Sequence, residues 1–188
     1  MAVVKADAYG LGIEKVTEFL SDKVDAFAVI NMEEALKVKS EKDVLILTPE
    51  LSREDIELIK DNFIITIDNE ELLKKITSII PEKEVRAHIY VDTGMNRFGV
   101  KPVDFYSFLQ TVENYKNIKV EGVYTHLNNT EDNYHQQPSG KKPITDALVG
   151  FCETVEIICN FLKDRLRQSI LFSYTYKHLK SRKLLLSP

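Results

Sequence analysis

The sequence predicts an α/β fold in which parallel strands form a sheet and helices cover it. Along residues 1–125, segments typical of strands alternate with segments typical of helices. The strands are short, continuous apolar runs, as expected where both faces of a sheet are covered. The segments richest in glycine and reactive side chains follow strands directly, at the end where parallel sheets form their sites. The length of 188 residues favours a single domain.

The number of strands predicts a barrel that is incomplete. A seventh strand is indicated over Ser169–Tyr174, whereas a closed barrel needs eight strands and typically about 250 residues. We therefore expect a partial (β/α)8 TIM-type barrel of about six to seven strands. The six clear strands are Ala2–Lys5, Ala26–Ile30, Val44–Leu47, Phe63–Ile67, Val85–Val91 and Val120–Thr125.

Helices are predicted between these strands from apolar periodicity and from their start and stop signals. Val16, Phe19 and Leu20 share one face of the first helix. Ser52 precedes an acidic first turn, which is typical of a capped helix start, and Pro81 ends a later helix. The predicted helices are Ile13–Leu20, Glu33–Lys39, one opened by Ser52, one capped by Asp68 or Asn69 and running to Ile80, Asp104–Tyr115, and Thr145–Leu166.

Composition indicates a globular protein of the cytoplasm. Hydrophobic residues make up 44% of the chain and charged residues 29%. No uncharged apolar run is long enough to span a membrane, and Met1 is followed by no basic and apolar leader, so neither export nor a membrane partner is expected. Cys152 and Cys159, seven residues apart, are expected to pack as small hydrophobes, with no disulfide and no metal site.

The charge is distributed unevenly along the chain. The net charge is -4, yet residues 163–188 contain seven lysines and arginines against one acid, Asp164. A basic tail of this kind suggests either nucleic-acid binding or a solvated segment. We expect a solvated tail and no nucleic-acid partner.

Lys5 is the strongest functional candidate. It lies between the first apolar strand and a turn that contains Gly10 and Gly12, which allow a ligand to approach the backbone closely. A partly desolvated lysine at such a strand end is a usable nucleophile for Schiff-base chemistry. The alternative is a strand-end lysine that extends its amine into solvent.

Three segments resemble a known family. Residues 2–12, AVVKADAYGLG, resemble the cofactor-lysine segment of the alanine racemases, which are fold-type III pyridoxal phosphate enzymes. Residues 91–99, VDTGMNRFG, and residues 121–126, EGVYTH, resemble the second and third signatures of that family, in the same order. The resemblance covers residues 1–132, so we divide the chain into an N-terminal barrel portion, 1–132, and a divergent tail, 133–188, with one predicted helix.

The resemblance implies roles for individual residues. Lys5 would bind pyridoxal 5'-phosphate covalently and act as the catalytic base on one face of the substrate α-carbon. Tyr9 would donate its hydroxyl to the cofactor phosphate, and His126 would lie against the pyridine ring. Arg97 would bind the substrate carboxylate, within a loop shaped by Asp92 and Asn96. The alternatives are a rim tyrosine, a structural histidine, and an arginine paired with Asp92 for structure alone.

The chain also departs from the family pattern at several places. Tyr90 stands where family members commonly have a lysine that carries a carbamate and supports the arginine. Either a buried hydroxyl or a bound anion would then provide that support, or Arg97 would be held less well. After His126, the family's small residues and Ala-Asp pair are replaced by Asn128, Asn129, Thr130 and Glu131.

The resemblance implies an activity and an assembly. Family members are cytoplasmic homodimers that interconvert L- and D-alanine and supply D-alanine for cell-wall synthesis. The resemblance implies that the segment before the lysine strand is missing here, as is the C-terminal β domain, which carries the second base in the family. Two alternatives follow: a non-catalytic pyridoxal phosphate-binding barrel protein or inactive racemase remnant, and a racemase for serine or another small amino acid.

Overall fold

A computed structural model describes residues 1–126. Within them, six parallel strands form one sheet in the sequential order β1-β2-β3-β4-β5-β6. The strands are β1 (Ala2–Val3), β2 (Ala26–Val29), β3 (Asp43–Ile46), β4 (Phe63–Ile67), β5 (Val85–Val91) and β6 (Ile118–Thr125). This order confirms the predicted α/β fold and its partial barrel.

Helices connect consecutive strands, with a one-turn segment, α1 (Lys5–Gly10), directly after β1. They are α2 (Ile13–Leu20), α3 (Met32–Lys37), α4 (Arg53–Glu57), α5 (Glu70–Ile79), a 3-10 turn at Pro102–Asp104 and α6 (Phe105–Val112). Their starts follow capping chemistry: Ser52 and Asp55 form a reciprocal capping box, and the Asn69 side chain accepts from the Leu72 N–H. The predicted bounds of α2, β4 and β5 are confirmed to the residue, and the other ends differ by a few residues.

The main core lies between the sheet and its helices. On β5, Val85, Ala87, Ile89 and Val91 all face this layer and are fully buried. Phe105 of α6 is also fully buried, as are Leu73 and Ile76 of α5. Packing on this face fixes the helices against the sheet. The opposite face of each strand points to the inside of the partial barrel.

The interior face of the sheet holds a second, smaller cluster. Each strand from β2 to β6 contributes one side chain to it: Ala28, Leu45, Ile64, Tyr90 and Tyr124. Phe98 and Leu47 pack against this cluster from the ends of the strands. The cluster therefore forms a floor beneath the carboxyl ends of the strands.

An ion-pair cluster lies across the amino ends of three strands. The Arg86 guanidinium of β5 donates to both oxygens of Asp43 in β3, at 2.6 and 2.8 Å, and its Nε donates to Glu121 of β6 at 2.7 Å. Hydrogen bonding from Arg86 lowers the pKa of the Asp43 carboxyl. Burial raises the pKa of Glu121, but hydrogen bonds from Lys119 and Arg86 outweigh it, and the net pKa is lowered.

His88 is buried in β5 between the ion-pair cluster and Tyr90. Opposite it, β6 contains an irregularity that pairs His88 with Gly122. A Cβ at Gly122 would lie 2.7 Å from the imidazole, so the ring occupies the space above that glycine. Burial lowers the pKa of His88 from 6.5 to about 4. The charge of Arg86 also lowers this pKa, whereas the charges of Glu121 and Asp43 raise it.

We expect the stability of the fold to decrease as the pH is lowered, because of His88. The unfolded imidazole binds a proton near pH 6.5 and the folded one only near pH 4, so the unfolded state binds more protons in that window. The contribution of His88 to the free energy of unfolding is fully present above pH 6.5. By pH 5 the loss should reach about 2 kcal/mol, measured as the free energy of unfolding in urea.

A matched pair of histidine variants isolates this effect. His88→Gln should flatten the dependence between pH 7 and 5, whereas His126→Gln, at an exposed position, should retain most of it. An unchanged slope in His88→Gln would assign the pH dependence to other groups.

One predicted helix face is wrong in part. The buried residues of α2 are Ile13 and Thr17, with Val16 and Leu20 packed against the core, while Phe19 is 68% exposed. Phe19 instead lies beneath the Lys23 amine, 4.3 Å from the ring centroid.

Several predictions lie outside the described residues. They are the strand Ser169–Tyr174, the helix Thr145–Leu166, the two cysteines and the basic tail, which stay predictions, as does the division at residue 132. Within residues 1–126, no helix is both long and apolar enough to cross a membrane.

Candidate functional site

The carboxyl ends of β1, β5 and β6 meet at one place. In a flat sheet, five spacings of about 4.8 Å would separate β1 from β6 by about 24 Å. Yet the charges of Lys5, after β1, and Arg97, after β5, both lower the pKa of His126, after β6. The Tyr124 hydroxyl of β6 also donates to Leu47 O, which follows β3, at 3.2 Å, although β3 and β6 are three strands apart in the sheet. The sheet is therefore strongly curled. The curl brings together three of the four predicted site residues.

Lys5 is held at the start of an unusual turn. The four residues that follow it, Ala6 to Tyr9, all have left-handed backbone angles, with φ between 52° and 56°. For residues with a Cβ this conformation costs roughly 1 kcal/mol each, and such strain is typical of functional sites. The Lys5 side chain is half-buried, as the sequence predicts.

Two carboxylates hold this turn in place. The Asp7 side chain accepts from the Ile13 N–H at 2.8 Å, which joins the turn to the first residue of α2. The Glu34 carboxylate accepts from the Asp7 N–H at 3.1 Å and from the Ile30 N–H at 2.9 Å. Sequence reasoning missed Glu34 because the interaction spans 27 residues.

Arg97 lies in the loop that follows β5, residues 92–99, and backbone hydrogen bonds join the two ends of this loop. The Asp92 N–H donates to Val100 O and the Val100 N–H donates to Tyr90 O, both at 2.9 Å. Inside the loop, Asp92 Oδ1 accepts from the N–H groups of Gly94 and Asn96, at 3.0 and 2.9 Å. Asp92 and Asn96 therefore shape the loop, and no ion pair joins Asp92 to Arg97 within the described residues.

Gly99 and Asp68 fix the end of this loop. The Gly99 N–H donates to Asp68 Oδ2 at 2.9 Å, and Asp68 follows β4 directly. A Cβ at Gly99 would lie 2.7 Å from the Asp92 backbone nitrogen, and its φ of 107° disfavours other residues. Asp68 is a second residue that sequence reasoning missed, since its position suggests only a helix cap.

The site is electropositive. Arg97 is exposed, with its guanidinium carbon 5.6 Å from the Phe98 ring centroid. The pKa of the His126 imidazole is lowered first by burial and then by the charges of Lys5 and Arg97. Two cations beside a neutral imidazole suit an anionic ligand such as a phosphate or a carboxylate.

No contact among the described residues joins Tyr9 to Lys5, Arg97 or His126. Its side chain is 64% exposed and forms no hydrogen bond within the described residues. It lies four residues after Lys5, at the same end of the sheet. The structure thus places it at the rim.

Beneath the site lie two buried tyrosines. The rings of Tyr90 and Tyr124 are 4.9 Å apart. The Tyr124 hydroxyl is bonded to Thr66 Oγ1 at 2.7 Å and to Leu47 O at 3.2 Å. Burial raises the pKa of both phenols, so both are neutral at physiological pH.

The chemistry available at this end of the sheet combines an amine, a guanidinium and an imidazole. Within residues 1–126, no group of three histidine, cysteine, aspartate or glutamate side chains is placed to hold a metal ion. An amine is a side chain that can act as a nucleophile or a base, and a guanidinium is one that can bind a carboxylate.

Comparison with known proteins gives the same assignment as the motifs. Residues 1–155 match the family model "Alanine racemase, N-terminal domain". The chain is 36% identical over 163 residues to an alanine racemase of Francisella tularensis subsp. holarctica, covering 84% of this chain and 45% of that protein. It is 31% identical over 140 residues to alanine racemase 2 of Clostridium acetobutylicum, covering 71% and 35%.

A solved structure shares the fold. The alanine racemase of Clostridium difficile 630 superposes with a TM-score of 0.73 at 24% identity, covering 91% of this chain and 46% of that one. The chain thus spans less than half the length of the curated relatives it matches.

Proposed function

The chain belongs to the alanine racemase family, and from this premise we propose that it contributes to the pyridoxal phosphate-dependent interconversion of L- and D-alanine. The observation that carries the proposal is the convergence of Lys5, Arg97 and His126 from three strand ends. That convergence supports the roles that the motifs imply for these residues.

The described residues fit pyridoxal phosphate. The amine of Lys5 and the charge of Arg97 provide the nucleophile and the positive field that an aldehyde bearing a phosphate requires. Lys5, His126 and Tyr9 would hold the cofactor, with His126 against its ring and Tyr9 at its phosphate. When bound, the cofactor supplies the electron sink for a carbanion at the substrate α-carbon.

Lys5 would hold and move the proton. As a base, its Nζ accepts the α-proton from one face of the substrate and returns it to the same carbon. Lys5 is half-buried, and the turn after it is held by hydrogen bonds of Asp7 and Glu34, which limits the positions that Nζ can reach and favours proton transfer at a single site.

Arg97 would orient the substrate. A guanidinium binds a carboxylate through two parallel hydrogen bonds and fixes its plane. Since Asp92 is engaged by the backbone of its own loop, the full charge of Arg97 is available to the substrate.

The proposal includes the assembly and its location. We propose a cytoplasmic homodimer that supplies D-alanine for the cell wall, on the basis of family membership. The second base, which completes racemisation on the opposite face, would come from a part of the enzyme outside the matched segment.

Lys5→Ala should abolish specific cofactor binding. The wild-type chain mixed with pyridoxal phosphate should gain an absorbance band in the visible, which Lys5→Ala should lose. In D2O, exchange of the alanine α-proton, followed by NMR, should fall by about 10²–10⁴-fold in the variant, the usual effect of removing a general base.

The control is Lys15→Ala, since Lys15 is an exposed lysine of α2 and should leave both readouts unchanged. A band without α-proton exchange would indicate a non-catalytic cofactor-binding protein. No band, or equal loss in both variants, would contradict the proposal. Faster exchange of serine than of alanine would reassign the substrate.

A further inference from the structure

The Glu34 carboxylate joins the turn that follows Lys5 to the start of α3. Its Oε1 accepts from the Asp7 N–H at 3.1 Å, and its Oε2 accepts from the Ile30 N–H at 2.9 Å. The side chain is half-buried. Each oxygen is thus engaged by a backbone N–H group, and one of these groups belongs to the second residue after Lys5.

Capping of α3 does not require this bridge. In α4 the capping box closes within the helix: the Asp55 carboxylate accepts from the Ser52 N–H at 2.8 Å, and the Ser52 hydroxyl accepts from the Asp55 N–H at 3.0 Å. In α3 the Asn31 side chain likewise accepts from the Glu34 N–H at 3.0 Å. Glu34 occupies the position that Asp55 has in α4, but its longer side chain extends past the N-cap to Ile30 and to the turn. The additional length therefore serves the turn.

The turn does not hold its conformation by residue preference. Ala6 to Tyr9 are left-handed although each has a Cβ, and such strain persists only where the surrounding structure maintains it. The backbone of the turn closes on the residue before Lys5, because the Ala8 N–H donates to Val4 O at 2.9 Å. A shift of the turn would therefore move the chain on both sides of Lys5. Glu34 opposes such a shift from outside the turn.

We propose that Glu34 is a positioning residue for Lys5: its carboxylate holds the left-handed turn and thereby fixes where the Lys5 amine lies. The inference rests on the proposed function in one respect, which is that Lys5 is the reacting amine. Glu34 acts on Lys5 through the backbone and has no direct contact with cofactor or substrate in this proposal. A carboxylate suits the task, because it accepts strong hydrogen bonds from backbone N–H groups and has two oxygens that can join two segments.

Two variants separate the turn from the helix cap. Glu34→Asp should still cap α3, as Asp55 does in α4, but its side chain is one methylene shorter and should not reach Asp7. Glu34→Ala should lose both contacts. In 1H–15N NMR spectra, the Asp7 amide should exchange with D2O about tenfold faster in both variants, the effect of one lost charged hydrogen bond. The amide of residue 34, which donates to Asn31, should keep its rate in Glu34→Asp. An Asp7 amide that exchanges at the wild-type rate in Glu34→Asp would overturn the proposal.

The position of the Lys5 amine is tested without cofactor by acetylation. Mass spectrometry gives the acetylation rate of Lys5 relative to that of Lys15, an exposed lysine of α2. Half-burial should make Lys5 the slower of the two, and Glu34→Asp should bring the ratio close to one. The matched control is Glu33→Asp, at the adjacent glutamate that pairs with Lys37 at 2.6 Å, which should keep the wild-type ratio. Equal rates in wild type, or a ratio that Glu34→Asp leaves unchanged, would overturn the proposal.

With pyridoxal phosphate and alanine, the effect should appear in the rate and not in substrate binding. At saturating alanine, α-proton exchange in D2O should fall by about 10²-fold in Glu34→Asp, the effect of a small misplacement of a reacting group. The alanine concentration at half-maximal rate should change by less than about twofold, because Arg97 and its loop are untouched. The thermal midpoint should stay close to that of wild type, since the cap of α3 is retained.

The outcomes keep the two proposals apart. If wild type shows no α-proton exchange, the proposed function is wrong, while the Asp7 amide and the acetylation ratio still decide the role of Glu34. If wild type is active and Glu34→Asp exchanges the α-proton at the same rate, Lys5 is the reacting amine and Glu34 does not position it.

Discussion

Gly99→Ala should destabilise the protein by about 2–5 kcal/mol, combining left-handed backbone strain with overpacking. The new methyl group would lie 2.7 Å from the Asp92 nitrogen, 2.9 Å from Tyr90 Cδ1 and 3.0 Å from the Val91 carbonyl carbon. Two of these atoms are backbone and cannot rotate away. The loop must therefore move, which would also displace Arg97 and break the bond from the Gly99 N–H to Asp68.

Gly10→Ala is the matched control for this change. Gly10 also has a positive φ, 85°, but a methyl group added there would meet no atom within 4 Å, so only backbone strain of about 1 kcal/mol should appear. Chemical denaturation gives the free energy of unfolding of both variants. Equal losses would show that conformation alone, and not close packing against β5, requires glycine at position 99.

Arg86→Met should lower the free energy of unfolding by about 2–3 kcal/mol at pH 7, because it leaves two partly buried carboxylates facing each other. Asp43 and Glu121 both depend on Arg86 for a charged hydrogen bond, and these contacts join β3, β5 and β6. The figure is set below that for a fully buried pair because the Asp43 side chain is 38% exposed.

The same substitution at Arg53 provides the comparison. Arg53 forms an exposed pair with Glu57 at 3.2 Å on α4, and Arg53→Met should cost less than about 0.5 kcal/mol. The effect of Arg86→Met should also shrink as the pH falls below the lowered pKa values of Asp43 and Glu121, since protonated carboxyls no longer repel. Equal effects in the two arginine variants would contradict a strand-bridging role.

Much of the fold follows from local sequence signals. Phe63–Ile67 and Val85–Val91 are apolar runs bounded by polar residues, and both strands are confirmed to the residue. Ser52 and Asn69 are capping residues whose hydrogen bonds lie within three residues along the chain. The face predicted for α2 is wrong at Phe19, because periodicity alone does not show which edge of a helix meets the sheet.

For the candidate site, the sequence likewise identifies the residues but not their contacts. The motifs place Lys5, Arg97 and His126 at strand ends, but no local signal shows that β1 and β6 approach each other. The left-handed run from Ala6 to Tyr9 contains no glycine, so residue propensity does not predict it. Glu34 and Asp68 act over 27 and 31 residues, a separation that composition and periodicity do not reveal.

Local sequence is sufficient for the alternation of strands and helices, the helix caps, the family and the identity of the candidate residues, because each depends on neighbours along the chain. Which of those residues meet depends on the folded sheet. Its curl brings the charges of Lys5 and Arg97 to His126 and leaves Tyr9 at the rim. It also buries the Tyr90 hydroxyl without a partner among the described residues, since burial is set by contacts between segments distant along the chain.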